Sequence, residues 1–240
     1  MATPAPKYKR ILLKLSGESL MGDREHGVDP ETTLRLASEI HDIYKLGVQI
    51  AIVVGGGNIF RGVKAAAKGM DRATADYMGM LATLINALAL HDAFHHMNVP
   101  VRVMSAINAP QVAEPYIRQK GIRHMEKDRL IILAAGTGSP FFSTDSGAAL
   151  RAVELGCEAI LKATKVDGIY DKDPVQFPDA VKFDHITYDQ AIKDKLNVMD
   201  MTAFAMCRDN HMPIVVFDFF THGNLQKVVM GESLGTTVGI

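Results

Sequence analysis

The sequence predicts an α/β protein in which a mainly parallel sheet is covered by helices on both faces. Three observations predict it. Apolar runs of strand length recur at residues 10–15, 49–54, 99–104, 130–135, 158–163 and 214–217, and an unbroken apolar run suits a strand buried on both faces. Helical patterns separate these runs, as parallel strands require. Three of the runs end in glycine-bearing turns, Ser16-Gly17, Gly55-Gly56-Gly57-Asn58 and Gly136-Thr137-Gly138. Turns of this kind at the carboxyl ends of strands are where open α/β sheets hold ligands, anions above all. With no internal repeat and no linker-like stretch, residues 1–240 read as one domain.

Residues 1–7 carry Pro4 and Pro6 and no periodicity, which predicts a flexible tail. The first strand then sets Lys14 at its carboxyl edge, where an ammonium in an apolar pattern calls for an anion or a carboxylate to meet it. Gly22, Asp23, Arg24, Glu25, His26 and Gly27 form a polar loop, read equally as a lid or effector loop and as a solvated connector. Asp29 and Pro30 supply a cap and a first helical proline, and Leu34, Ala37, Ile40, Ile43 and Tyr44 share a helical face until Gly47 ends it. The second strand delivers the triple glycine, with Arg61 close behind to reach a phosphate. From 73 to 97 the helical pattern is apolar around most of its circumference, which predicts burial on two sides, one of them against a second copy of the chain. Asp76 and Tyr77 are placed in its first turn, and His91, His95 and His96 at its end. His91 and His95 have a spacing that suits a metal, but no His-Glu-x-x-His accompanies them, and they read as surface or interface histidines. Residues 105–127 give no decisive pattern.

The run that begins at Leu130 stops abruptly at Gly136. Gly136 and Gly138 let the backbone turn and approach a ligand, Pro140 stiffens the turn, and Ser143, Thr144 and Asp145 cap a helical pattern reaching Gly156. The strand at 158–163 leads into Lys162, Thr164, Lys165, Asp167, Tyr170, Asp171, Lys172 and Asp173. That crowding suits a nucleotide, with lysines for phosphates, Tyr170 for a base and an aspartate for ribose or charge balance; a solvated charged turn is the plain alternative. A helix near Tyr188, another over 201–210, a strand at 214–217 and a short helix ending near Gly231 complete the pattern.

Composition removes several classes of function. Lys plus Arg total 26 and Asp plus Glu 27, so no overall field attracts nucleic acid or an anionic membrane. The chain has two cysteines, Cys157 and Cys207, far apart in sequence, and no secretory signature opens it; free thiols and a cytoplasmic location are expected. No apolar run reaches the length of a bilayer span, since the longest candidate, residues 78–89, is interrupted by Asn86. A dinucleotide fingerprint fails because Phe60 and Phe141 stand where Gly-x-Gly-x-x-Gly needs its last glycine, and a P-loop motif is absent.

Taken together, Lys14-Leu15-Ser16-Gly17-Glu18, Gly55 to Gly62, Asp76-Tyr77-Met78-Gly79-Met80, Gly136 to Asp145 and Lys162 to Gly168 resemble the bacterial-type uridylate (UMP) kinases of the amino acid kinase family. The resemblance runs in order from about Tyr8 to the C-terminus. It implies a three-layer α/β/α sandwich whose acceptor site lies mainly in the N-terminal half and whose ATP site lies mainly in the C-terminal half. By matching position it implies ATP contacts at Lys14, Leu15, Ser16, Gly17, Gly57, Arg61, Thr164, Tyr170 and Asp173. UMP contacts are implied at Gly56, Asp76, Thr137, Gly138, Ser139, Pro140, Phe141, Phe142, Ser143 and Thr144. It further implies a hexamer built from dimers, GTP as activator, UTP as inhibitor, and a regulatory part for the segment Gly22 to Gly27. The chain departs from the family pattern at Ser139, where relatives usually carry Asn, at His91, where some carry Arg, and in the charged Asp23-Arg24-Glu25-His26 loop.

Phosphoryl transfer from MgATP to UMP brings two polyanions into line, so positive groups carry the work. Lys14 and Lys162 are expected to clamp the transferring group, with Lys165 a near rival of Lys162. Arg61 is expected to align phosphates, and Asp145 to hold the lysines from its helix N-terminus. Mg2+ is expected to be held largely by the ATP phosphates and water, with no protein metal ligands. Two rivals are a kinase of the same family acting on a carboxylate or carbamate, and a non-catalytic oligomeric protein that binds nucleotides or oxyanions.

Overall fold

The computed structural model describes residues 5–62, 67, 69–174, 176–196 and 199–239. Its strands are β1 (Arg10–Leu15), β2 (Gln49–Val54), β3 (Val101–Ser105), β4 (Glu114–Pro115), β5 (Leu130–Ala134), β6 (Ala159–Thr164), β7 (Ile169–Tyr170), β8 (Lys182–Phe183), β9 (His185–Thr187), β10 (Ile214–Asp218) and β11 (Thr236–Gly239). Nine of them form one sheet in the order β4-β3-β5-β2-β1-β6-β10-β11-β9, while β7 and β8 make a separate hairpin. Within the large sheet every ladder is parallel except β10 with β11. The central strands are the apolar runs of the sequence, which suit burial on both faces; Lys14 of β1 and Lys162 of β6 interrupt them near the carboxyl edge.

The helices are α1 (Pro30–Lys45), α2 (Arg72–His96), α3 (Arg118–Glu126), α4 (Thr144–Leu155), α5 (Tyr188–Lys193), α6 (Met201–Asp209) and α7 (Asn224–Met230). One apolar cluster joins α1, α2 and α7 to one face of the sheet through Ile40, Phe94, Leu225 and the β1 residues Ile11, Leu13 and Leu15. A second joins α3, α4, α5 and α6 to the other face through Met125, Ala148, Ala149, Tyr188, Phe204 and Leu12. The expected three layers are therefore present, and the strand alternation decides which side chains each layer receives.

Several local expectations shift. Lys7 N donates to Val229 O at 3.0 Å and Tyr8 is buried, so the expected tail is tied down by residue 7; residues 1–4 lie outside the described residues. Asp29 caps α1 by accepting from Thr32 N at 2.8 Å, but the buried face is Thr33, Leu36, Ala37, Ile40 and Ile43, and Leu34 is exposed. Helix α2 starts at Arg72 with Asp71 as its cap, which puts Asp76 in the second turn and makes Asp71 the charge at the helix start. Helix α2 is 25 residues long and contains an 18-residue window with a mean hydropathy of 1.2, enough by length and composition alone for a membrane span, although no unbroken apolar run is that long. It packs instead along α1 and over β3 and β5, with Asn86 wholly buried. Residues 105–127 resolve into β4 and α3, whose start at Ile117 has no side-chain cap to announce it. Both cysteines are buried free thiols.

Candidate active site

Lys14 and Lys162 are direct partners in the parallel register of β1 and β6. Their side chains therefore leave the sheet on the same face, the one α4 covers, beside Leu12 and Ile160 of that core. Asp145, in the first turn of α4, meets both: Lys14 Nζ lies 2.6 Å from Oδ1 and Lys162 Nζ 3.0 Å from Oδ2. These side chains are only 12–15% exposed. Burial raises the Asp145 carboxyl, but the adjacent Lys14 and Lys162 ammonium groups outweigh it and hold the group below the usual carboxylate range. For Lys162 burial wins, lowering its ammonium below the ordinary lysine value against the pull of Asp145 and with the help of the Lys14 charge. The arrangement is a fixed anion presenting two cations to whatever lies at the strand ends.

Above it the backbone is crowded into place. A Cβ on Gly17 would stand 2.4 Å from Asn58 Oδ1 and 2.6 Å from Gly55 O, so the Ser16-Gly17 turn and the triple-glycine turn touch only because residue 17 has no side chain. Asn58 exchanges side-chain hydrogen bonds with buried Asn86 of α2, and its Nδ2 also donates to Gly27 O at 2.7 Å while Gly27 N donates to Asn58 O at 2.8 Å. The polar loop of residues 22–27 is thus joined to the glycine turn at one residue.

Two clefts flank the Lys-Asp-Lys cluster. One, of about 250 Å³, is lined by Gly56, Arg72, Asp76, Thr83, Thr137, Ser139, Phe142, Ser143 and Thr144, among others. Asp76 is held by Arg72 Nε at 2.8 Å and accepts from Phe141 N at 2.7 Å, so α2 and the loop after β5 close the same wall. The other cleft, of about 630 Å³, is lined by Lys162, Thr164, Gly168, Tyr170, Asp173, Lys195 and Val216, among others. Lys162 belongs to this second wall and Thr144, next to Asp145, to the first, so the cluster stands where the two meet.

The Amino acid kinase family matches residues 9–218 of the chain. The chain belongs to the amino acid kinase family. It is 55% identical over 235 residues to the uridylate kinase of Dichelobacter nodosus, covering 98% of each chain. In three dimensions it matches the UMP kinase from Bacillus anthracis with a TM-score of 0.94 at 38% identity, over 97% of this chain and 96% of that one. The UMP kinase from Ureaplasma parvum matches with a TM-score of 0.92 at 38% identity, over 98% and 100%. The more distant uridylate kinase from Archaeoglobus fulgidus matches at 0.72 and 26%, over 95% and 99%.

On this amino acid kinase frame the residues picked from sequence do not all stand alike. Lys14, Asp145 and Lys162 converge, and Lys165 is exposed in the turn beyond. Leu15 is wholly buried, and its carbonyl accepts from Gly55 N at 3.0 Å, so it sits beneath the site. Arg61 is paired with Glu18, and its Nε donates to Gly57 O at 3.1 Å. Phe141 projects outward, 69% exposed, under the Arg72 guanidinium. Tyr170 Oη donates to Asp167 at the cleft rim at 2.7 Å. Sequence reasoning missed Asp200, whose carboxylate accepts from the Ser143 and Ser146 hydroxyls while it caps α6 through Ala203 N. The cap is legible before Met201, but nothing local couples it to residues 54 and 57 positions away.

Proposed function

We propose that the chain is an ATP-dependent UMP kinase of pyrimidine nucleotide biosynthesis, moving the γ-phosphoryl group of ATP onto the phosphate of UMP to give UDP and ADP. The observation that carries the reading is the bridge of Lys14, Asp145 and Lys162 at the meeting of two clefts. ATP is assigned to the cleft of Lys162, Thr164, Tyr170 and Asp173, and UMP to that of Gly56, Asp76 and the loop from Thr137 to Thr144. The chain is read as one domain, with the acceptor cleft shared between α2 and the loop after β5 and the ATP cleft drawn from the C-terminal half.

Negative charge spreads over the transferring oxygens in the transition state, and pre-placed cations stabilise it with little reorganisation. Lys14 and Lys162 have that place, held by a carboxylate that stays ionised. Asp145 is a positioning group and takes no proton, and none needs taking, because a nucleotide phosphate with a second pKa near ~6 is already mostly dianionic at neutral pH. Arg61 would align phosphates on exchanging Glu18 for them. When bound with ATP, Mg2+ would supply charge neutralisation on the phosphates. Asp145 is bound to Lys14 and Lys162, and Asp200 to the Ser143 and Ser146 hydroxyls.

The reading extends to assembly and control. A stripe on α2 of Tyr77, Met78, Leu81 and Ile85, between 39% and 52% exposed, supports pairing of subunits and, from pairs, a hexamer. The bond between Gly27 and Asn58 supports a regulatory part for residues 22–27 in responses to GTP and UTP. The test is ADP release measured with UMP, CMP or aspartate as acceptor. Release that depends on UMP is expected; equal release with aspartate, or none with UMP, removes the proposal.

A further inference from the structure

Arg151 lines neither cleft. It sits in the third turn of α4 at 7% exposure, with Nη1 donating to Glu154 Oε2 at 2.7 Å and Nη2 donating to the Gly136 carbonyl at 3.1 Å. Its guanidinium lies 4.0 Å from the Tyr116 ring centroid, and Tyr116 Oη donates to the same Glu154 oxygen at 2.7 Å. For stability alone this is a poor use of the position, since a packed apolar side chain of similar volume is generally as good as a buried ion pair or better. What no apolar side chain does is hold a loop carbonyl.

Gly136 is where the acceptor loop begins. Ala135 and Gly136 are consecutive left-handed residues, at φ 62° and 54°, a conformation that a non-glycine residue keeps only when its surroundings fix it. Besides the turn's own bond, from Gly138 N to Ala135 O at 2.8 Å, two contacts from the helices fix it. Thr83 Oγ1 of α2 accepts from Ala135 N at 2.8 Å, and Arg151 of α4 binds the next carbonyl. Gly147 brings α4 hard against the turn, for a Cβ there would stand 2.9 Å from Gly136 Cα.

We infer that Arg151 is a positioning residue for the acceptor cleft: by holding the Gly136 carbonyl it sets where Thr137, Ser139 and Phe142 stand, without touching substrate. The inference rests on the assignment of the loop from Thr137 to Thr144 to UMP. A misplacement of about 1 Å can cost roughly a hundredfold, and because the loop lines the acceptor cleft and not the other, the effect is expected in the constants for UMP and not in those for ATP.

The test compares Arg151→Met with Tyr116→Phe and Glu154→Gln in the full chain, measuring KM for UMP, KM for ATP, kcat and Tm. Arg151→Met is expected to raise KM for UMP roughly tenfold or more with KM for ATP within about twofold, while the other two lower Tm and leave both constants near those of the parent. If Arg151→Met does not fold, the double variant Arg151→Met/Glu154→Leu removes both charges, and the same rise in KM for UMP is expected. An unchanged KM for UMP in either folded protein overturns the inference, as does an equal rise in Tyr116→Phe and Glu154→Gln, which would trace the effect to packing. Gly138→Ala, whose Cβ would stand 2.9 Å from Ala106 O at φ 81°, tests the loop itself. If Gly138→Ala leaves KM for UMP unchanged, the loop assignment fails and the inference with it. A rise in Gly138→Ala without one in Arg151→Met defeats the inference alone.

Discussion

In the proposed mechanism Lys14 and Lys162 act through charge, and Asp145 holds both ammonium groups in place. Lys14→Ala is expected to lower kcat by orders of magnitude while far-UV circular dichroism stays that of the parent; near-normal turnover in the purified variant removes Lys14 from the mechanism. Asp145→Asn removes the counter-charge that two nearly buried ammonium groups share, and is expected to destabilise the fold by roughly 3–5 kcal/mol in urea unfolding as well as to slow turnover. The Asp145 carboxyl lies below its unfolded value, so its stabilising effect is present above that value and is lost as pH falls through the lower, folded one. Lys162 runs the other way in function. Its ammonium is lowered by burial, so the cation required for transfer is present at low pH and lost as pH rises through a value below the ordinary lysine range. The alkaline limb of the pH–kcat/KM profile, which reports the free enzyme, is therefore expected below that range, and Lys162→Arg, which stays protonated, is expected to move it upward. A limb unmoved by the substitution assigns it to another group.

Helices divide their labour between core and site. Helix α2 places Thr83 and Asp76 on the acceptor side and buries Asn86 beneath the triple glycine, yet leaves Leu81 and Ile85 more than half exposed. A helix apolar on both sides but covered on one is suited to a second copy of itself. Leu81→Asp/Ile85→Asp is expected to yield smaller particles in light scattering with the circular dichroism of the parent; an unchanged particle mass rejects α2 as the contact. Helix α4 has its N-terminus at the site. The Ser143 hydroxyl accepts from Asp145 N at 3.0 Å and Ser146 N at 3.2 Å, fixing the first turn from which Asp145 reaches the lysines.

Across the whole molecule, strands far apart in sequence complete one another's edges. The antiparallel strand β11 continues the sheet beyond β10, and from it the buried Thr236 hydroxyl accepts from Ile169 N at 2.8 Å and donates to Phe183 O, tying the β7–β8 hairpin to the sheet under the cleft proposed for ATP. Thr236→Val is expected to cost about 1–2 kcal/mol in urea unfolding and to raise KM for ATP with KM for UMP unchanged; a rise in KM for UMP instead would exchange the two clefts. Much of this was open to inspection in the chain itself. The parallel strands and the caps at Asp29 and Ser143 were legible because apolar period and cap chemistry are local. The demand of Lys14 for a carboxylate was legible because a charge in an apolar run needs an answer. The short strands β4, β7, β8, β9 and β11 and the uncapped α3 were not, because two to four residues paired at an edge carry no period. Nor were the partners of Asp200, Thr83 and Arg151, since each bond joins residues that nothing along the chain relates. The sequence by itself determined the α/β pattern, the glycine turns and the residue types suited to phosphate. Only the tertiary structure decided that Lys162 rather than Lys165 faces Asp145, that α2 keeps an apolar stripe uncovered, and that an arginine outside both clefts grips the acceptor loop, because register, face and reach are fixed only when the layers close.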